Sequence, residues 1–218
     1  MAISVAVCVG DQIADALVAK IVPQIKALKI GAGTNSGLDM GPLVTGAARD
    51  KVKGYVDAGV AQGATLIVDG RGLVVPGNEA GYFLGGSLFD HVTSEMSIYQ
   101  EEIFGPVLCI VRVGSLEEAM QLINDHEYGN GTCIFTRDGE AARLFCDEIE
   151  VGMVGVNVPL PVPVSYHSFG GWKRSLFGDL HAYGPDGVRF YTKRKTITQR
   201  WPQRASHEAA QFAFPSNS

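Results

Sequence analysis

The chain has 218 residues and a formal net charge of −5, with 46% hydrophobic and 19% charged residues. These values are typical of a folded protein with one or two domains and a real core, and they exclude a disordered chain. No basic block precedes the last thirty residues, and no apolar run reaches the roughly 18 to 20 residues of a membrane span, so neither nucleic acid nor a membrane is a predicted partner.

The cysteines and the N-terminus indicate a reducing compartment. Four cysteines are spread along the chain without CxxC spacing: Cys8, Cys109, Cys133 and Cys146. Three of them lie in apolar or strand-like segments and one on a predicted helix, which favours small buried hydrophobes over a disulfide framework. The first residues are apolar but lack a basic leader, so we predict a cytoplasmic protein.

The first half of the chain alternates strands and helices. Val5 to Val9 reads as a short buried strand, and apolar residues from Ile13 to Leu28 recur at helical spacing, interrupted by Pro23. A glycine-rich loop over 31–42 is followed by a second amphipathic helix and by the strand "ATLIVDG".

The second half repeats this alternation. "PVLCIVRV", "GTCIFTR" and "GMVGVNV" are predicted strands, and "SLEEAMQLIND" and "GEAARLFCDEI" are predicted helices. Ser115 with Glu118 three residues later predicts a capping box at the start of the first of these helices. This order predicts an α/β fold with an open, mostly parallel sheet and flanking helices.

From Pro159 onward the composition changes. About 29 residues rich in Pro, Gly and aromatic side chains predict a long loop, which in a compact domain is usually functional. "VRFYTKRKTITQRW" alternates well enough for an edge strand whose basic residues would protect it. The tail has no clear pattern.

Glu102 and Phe104 form the first candidate site. They stand in "EEIFGP", directly before a strongly apolar strand. A carboxylate there can accept hydrogen bonds from two sugar hydroxyls, and a nearby Phe offers a flat face for stacking. A turn acid beside a core Phe is the alternative.

Two other segments carry polar side chains in suggestive places. In "HSFGGWKRS", Lys173 and Arg174 could bind an anion beside Gly170 and Gly171, or they could be solvated charges on a tight turn. Asn157 ends a strand, where open α/β sheets place their sites, or it bonds to the local backbone.

The sequence lacks a complete catalytic or metal motif. His167 and His181 lack the spacing of metal ligands, so we predict no metal site. GxGxxG, P-loop, GxSxG and HExxH patterns do not occur.

Five segments in this order and spacing resemble the C-terminal half of the NAD-dependent aldehyde dehydrogenases: "EEIFGPVLCIVRV", "EYGNGTCIFTRD", "EVGMVGVNV", "HSFGGWKRSLFGD" and "YTKRKTIT". The resemblance extends from about residue 1 to residue 201. Within that superfamily, "PLPVPV" and "SLFGD" look most like the CoA-acylating (methyl)malonate-semialdehyde dehydrogenases.

The resemblance implies roles for individual residues. Glu102 would bind the hydroxyls of the nicotinamide ribose, Phe104 would pack near the nicotinamide, and Phe169 and Asn157 would line the substrate pocket. The double glycine would be mainly structural. Residues 1–185 would form a catalytic domain lacking its first segment, 186–201 a strand joining a neighbouring subunit's sheet in a homo-oligomer, and 202–218 a tail.

The resemblance also implies what the chain lacks. The nucleophilic cysteine would stand just before Met1, so no catalytic residue is assigned here, and the NAD domain would be missing with the N-terminal half. In the intact enzyme a cysteine thiolate would attack the semialdehyde, NAD would be reduced, and the acyl group would pass to coenzyme A with loss of carbon dioxide.

We therefore expect a fragment that is inactive alone. Two alternatives stay open at this point. The chain could be a non-catalytic remnant or interaction module that pairs through its C-terminal strand, or one of its four cysteines could serve as a new nucleophile.

Overall fold

The central sheet has four strands, in the order β1–β4–β3–β2. The computed structural model describes residues 3–199 and residue 201. The strands are β1 Val5–Val9, β2 Thr65–Val68, β3 Ser87–Asp90 and β4 Val107–Val113. The β1–β4 and β4–β3 pairs are parallel, and β2 joins the edge antiparallel to β3. The predicted open, mostly parallel α/β sheet is confirmed.

Two long helices cover opposite faces of this sheet. They are α1 Asp11–Ala27, which contains Pro23, and α2 Gly46–Ala61. Successive side chains of a strand point to opposite faces. Leu88 and Ile110 accordingly pack with α1, whereas Phe89 and Cys109 pack with α2. Strands buried on both faces explain the nearly continuous apolar run of β4.

The predicted capping box starts the next helix with one modification. After the single turn α3 Ser97–Gln100 and strand β4, helix α4 covers Leu116–Asp125. Ser115 Oγ accepts a hydrogen bond from the Glu118 N–H at 3.2 Å. Glu118 Oε2 accepts from the N–H of Gly114 at 2.7 Å, one residue before the N-cap, so both side chains still satisfy free backbone donors.

The later strands form two small separate sheets. Strands β6 Gly131–Ile134 and β7 Met153–Val156 pair in parallel across helix α5 Gly139–Glu148. Strands β5 Tyr128–Gly129 and β8 Trp172–Lys173 pair antiparallel. The β6–β7 pair is thus separate from the central sheet, although the sequence pattern predicts one sheet for all of these strands.

The C-terminal strand predicted over 186–201 is wrong in its first part. Residues Gly184–Tyr191 form helix α6, with Pro185 in its first turn, Asp186 near its N-terminus and Arg189 near its end. These are start and stop signals of a helix, and they override the alternating pattern. Residues 192–199 are exposed and form no strand within the described chain.

The loop prediction from Pro159 onward is confirmed, because β8 is the only regular element between β7 and α6 among these residues. Within the described residues, no helix is long and apolar enough to cross a membrane. The predicted tail 202–218 lies outside the described residues.

Candidate functional site

The EEIFGP loop (residues 101–106) connects α3 to the amino end of β4. Ile103 is buried and fixes the middle of the loop in the main core. Gly105 lies so close to α2 that a Cβ atom there would sit 2.5 Å from Val52 Cγ2. A larger residue would push the loop away from the helix, which explains the glycine at this position.

Phe104 is held in an unusual conformation at the surface of this loop. Its φ is +59°, in the left-handed region, and its side chain is 80% exposed. A bulky residue gains nothing from that backbone conformation, which costs about 1–2 kcal/mol. Residues with strained backbone cluster at active sites and ligand-binding positions.

The two glutamates of the loop have different surroundings. Glu101 Oε2 accepts a hydrogen bond of 2.5 Å from the Tyr55 hydroxyl of α2. The side chain of Glu102 is exposed, and within the described chain its carboxylate has no hydrogen-bond partner. Lys51 Nζ lies 3.5 Å from the backbone oxygen of Glu102. Glu102 is therefore free to accept hydrogen bonds from a ligand.

A shallow groove of about 270 Å³ adjoins this loop. It is lined by Lys51, Gly54, Tyr55, Ala58, Ser97 and Glu101. The Lys51 ammonium lies 5.4 Å from the centre of the Tyr55 ring, so the groove has a positive wall next to an aromatic one. The sequence analysis missed Lys51 and Tyr55, although their i, i+4 spacing on a predicted helix places them on one face.

The start of β1 lies beside the same loop. The Cys109 N–H donates to the Ser4 oxygen at 3.0 Å, and Val5 is opposite Cys109 in the parallel register. Ile3 and Ser4 therefore run next to the first residues of β4, which directly follow Gly105 and Pro106.

Asn157 binds local backbone. Its Nδ2 donates to the Thr136 oxygen and its Oδ1 accepts from the Thr136 N–H, both at 3.0 Å. Its φ is +56°, which Asn tolerates well. The amide thus extends the β6–β7 pair by one more rung, as the alternative interpretation states.

Phe169 lies in the long loop after β7. Its ring packs against Tyr183 with 5.1 Å between ring centres. The next residues are glycines for steric reasons, since a Cβ at Gly170 would meet His181 at 2.6 Å and one at Gly171 would meet Ser175 at 2.5 Å. This geometry agrees with a structural role for the double glycine. Ser168 Oγ also hydrogen-bonds to His181 Nδ1.

Lys173 is partly buried, whereas Arg174 is exposed at the surface. Lys173 Nζ donates to the carbonyl oxygens of Asn124 at 2.6 Å and of His126 at 3.2 Å. It therefore caps the C-terminal end of α4, where carbonyls lack intrahelical partners. Arg174 pairs with Glu127.

The four cysteines are all free. Burial raises the pKa of the Cys109 thiol to about 12 and is also the main cause of the raised pKa of Cys8 and of Cys133. A raised pKa disfavours the thiolate, which is the nucleophilic form. Cys146 is exposed on α5.

The structure brings two of the four predicted site residues together. Glu102 and Phe104 share one loop and are both exposed, whereas Phe169 and Asn157 lie beyond β7. Within residues 3–199, no hydrogen bond or ring contact joins the second pair to the first. No group of three or more His, Cys, Asp or Glu in that part could hold a metal ion.

Comparison with known proteins gives a consistent result. The model of the aldehyde dehydrogenase family matches residues 1–197. A malonate-semialdehyde dehydrogenase of Pseudomonas aeruginosa is 87% identical over 99% of the chain and 44% of its own length.

Solved structures show the same relationship. A methylmalonate-semialdehyde dehydrogenase from Oceanimonas doudoroffii is 66% identical with a TM-score of 0.89, covering 92% of this chain and 41% of its own. A putative methylmalonate-semialdehyde dehydrogenase from Sinorhizobium meliloti, complexed with NAD, is 54% identical with a TM-score of 0.90, covering 93% and 41%. The chain thus spans less than half the length of the relatives it matches.

Proposed function

The chain belongs to the aldehyde dehydrogenase family, and from this premise we propose that it supplies the nicotinamide-ribose site of an NAD-dependent semialdehyde dehydrogenase. Glu102 accepts hydrogen bonds from the ribose hydroxyls, and Phe104 packs near the nicotinamide. The observation that carries this proposal is the loop itself: an exposed carboxylate without a partner among the described residues lies two residues from a strained, exposed aromatic ring.

The residues fit the cofactor in chemical terms. An ionised carboxylate accepts two hydrogen bonds at once, as a ribose diol requires. When bound, NAD supplies the hydride acceptor of the oxidation. Glu102 would fix the ribose, and the apolar face of Phe104 would help keep water from the ring.

The relatives support the proposed substrate, and coenzyme A is proposed with it as the acyl acceptor. Similarity to malonate- and methylmalonate-semialdehyde dehydrogenases supports a small semialdehyde as substrate. We propose the CoA-acylating reaction, in which malonate or methylmalonate semialdehyde gives acetyl- or propionyl-CoA, carbon dioxide and NADH. Phe169 and Asn157 stay predictions for the substrate pocket.

We propose that the nucleophilic thiol is not among the four cysteines of this chain. Three of them have raised pKa values caused mainly by burial. The nucleophile would come from the part of the relatives that this chain does not span, which is more than half of their length. The purified chain should not turn over malonate semialdehyde with NAD and CoA. Any turnover by it would refute this account, whether that turnover survives Cys8→Ala or is lost with it.

The binding proposal is tested by saturation-transfer difference NMR of NAD+ with the purified chain. We expect strong transfer to the protons of the nicotinamide and its ribose and weak transfer to the adenine protons of the same molecule. Glu102→Gln keeps the shape but removes the charge, and it should weaken binding about tenfold.

Glu140→Gln is the matched control, because Glu140 is an exposed acid on α5. It should leave transfer unchanged. Transfer centred on adenine, or equal transfer in the wild type and Glu102→Gln, would reject the ribose site.

One observation favours a second candidate function. Residues 192–199 are exposed without a strand partner in the described chain, and Ile197 is among their exposed apolar side chains. Such a segment can add to a partner's sheet. We propose this pairing for a homo-oligomer, and as the main role if the chain binds no NAD+.

We also propose a cytoplasmic location, which the free thiols of the chain support.

A further inference from the structure

The conformation of Phe104 requires an explanation from its surroundings. Residues in unfavourable backbone regions persist only where neighbouring contacts over-determine them. Within the loop, the buried Ile103 and the close packing of Gly105 on Val52 supply two such contacts. Both of these contacts are made on the side of the loop that faces the core. They do not fix the outer end of the loop, which begins at Glu101.

The outer end is fixed by a hydrogen bond from another element. The Tyr55 hydroxyl donates to Glu101 Oε2 at 2.5 Å, across 46 residues of sequence. The Glu101 N–H also donates to the Ser97 oxygen at 3.0 Å, so Glu101 is held at both its backbone and its side chain. A hydrogen bond to a charged acceptor is among the stronger ones in proteins.

The raised pKa of Tyr55 keeps its hydroxyl protonated and able to donate this hydrogen bond. The hydrogen bond to Glu101 is the main cause of the raised pKa of Tyr55, so the hydroxyl keeps its proton to higher pH than an ordinary tyrosine. Lys51 lies 5.4 Å from the Tyr55 ring centre and 3.5 Å from the Glu102 backbone oxygen. The α2 face therefore contacts both glutamates but leaves the Glu102 carboxylate open.

We propose that Tyr55 and Glu101 are positioning residues of the ribose site: their hydrogen bond holds the EEIFGP loop on α2 and so keeps Glu102 and Phe104 in binding geometry. This inference rests on the proposed function. It divides the two adjacent carboxylates by role, since Glu101 anchors the loop and Glu102 binds the ligand.

The test combines backbone exchange with NAD+ binding in the full chain. Tyr55→Phe keeps the ring and removes only the donor, and Glu101→Ala removes the acceptor. Each should speed amide exchange of Glu101, whose N–H donates to the Ser97 oxygen, about tenfold relative to the amides of α5 as an internal reference, and weaken NAD+ binding about fivefold to tenfold.

A conservative variant and a double mutant separate this role from simple packing. Glu101→Gln retains an acceptor oxygen and should stay within about threefold of the wild type in both measurements. Tyr55→Phe combined with Glu101→Ala should be no worse than either single change. Tyr82→Phe is the control, because Tyr82 is a partly exposed tyrosine whose hydroxyl has no partner in the described chain.

The outcomes distinguish the two proposals. If the wild type binds NAD+ through its ribose and Tyr55→Phe changes neither exchange nor affinity, the positioning role is overturned and the proposed function stands. If the wild type shows no transfer to the ribose, the proposed function falls and the positioning role for a ribose site falls with it. Additive effects in the double mutant also overturn the inference.

Discussion

At the scale of single residues, Phe104 combines a strained backbone with a side chain that contributes little to the core. Its φ is +59° and the ring is 80% exposed. Neither property is visible in "EEIFGP", because the left-handed conformation is imposed by the packing of Ile103 and Gly105 against elements far away in sequence. The sequence predicts the residue as a site but not its strain.

Replacing Phe104 should therefore stabilise the fold while removing function. Asn tolerates the left-handed region far better than Phe, so Phe104→Asn should raise the free energy of unfolding by about 1 kcal/mol. The same variant should lose saturation transfer to the nicotinamide. Urea denaturation measures the stability. Phe135→Asn is the control, an exposed Phe without a positive φ, and should bring no gain.

If Phe104→Asn were instead clearly less stable than the wild type, the ring would contribute packing that its exposure does not indicate. The account of Phe104 as a residue retained for binding would then fail.

Asp90 gives the fold a pH dependence. Arg112 donates to both carboxylate oxygens of the buried Asp90, at 3.0 and 2.7 Å, and these bonds are the main cause of its lowered pKa. Since the folded pKa lies below the unfolded value of about 3.9, the stabilisation is complete above that value. It is lost as the pH falls through the folded pKa.

Asp90→Asn should lower the free energy of unfolding at neutral pH by about 2 kcal/mol. The difference from the wild type should shrink below about pH 4, as urea titrations at several pH values would measure. Asp15→Asn is the matched control, because Asp15 contacts the same Arg112 but is largely exposed, and it should cost less than about 0.5 kcal/mol. A constant difference down to pH 2 would contradict this assignment.

At the scale of elements, the sequence predicts most where local signals and burial agree. Strand β4 and helix α4 have both, since β4 is apolar except for Arg112 and α4 starts with Ser115 and Glu118. Helix α6 is the element that the sequence predicted wrongly, as part of a strand. Its residues alternate like a strand, and the decisive signals are Pro185 and Asp186 at its start.

Pairing between elements was less predictable than the elements themselves. Lys173 reaches back 49 residues to cap α4, and β8 pairs with β5. These contacts join residues far apart in sequence, and no local sequence pattern predicts them. The hydrogen bond from Tyr55 to Glu101 was missed for the same reason.

The α4 cap provides a direct test at this scale. Ser115→Ala removes the side chain that accepts from the Glu118 N–H and should destabilise the chain by about 1 kcal/mol. Ser94→Ala changes an exposed serine outside any helix cap and should stay within about 0.5 kcal/mol of the wild type. Equal thermal unfolding midpoints for the two variants would contradict the cap.

At the scale of the whole molecule, the later part of the chain exposes many large apolar side chains. The most exposed include Tyr166, Phe177, Val188, Tyr191 and Trp201. Monomeric proteins rarely leave so much apolar surface uncovered. We therefore expect self-association, measured by light scattering with size-exclusion chromatography. A clean monomer at micromolar concentration would contradict this expectation.

We propose that Glu102 and Phe104 bind the nicotinamide ribose of NAD while the adjacent face of α2 holds the EEIFGP loop in place. The most direct measurement is an amide chemical-shift map of the labelled chain titrated with NAD+. We predict the largest shifts at residues 102–105 and 51–55. Shifts concentrated around α5 and the β6–β7 pair, with the loop unaffected, would contradict the claim.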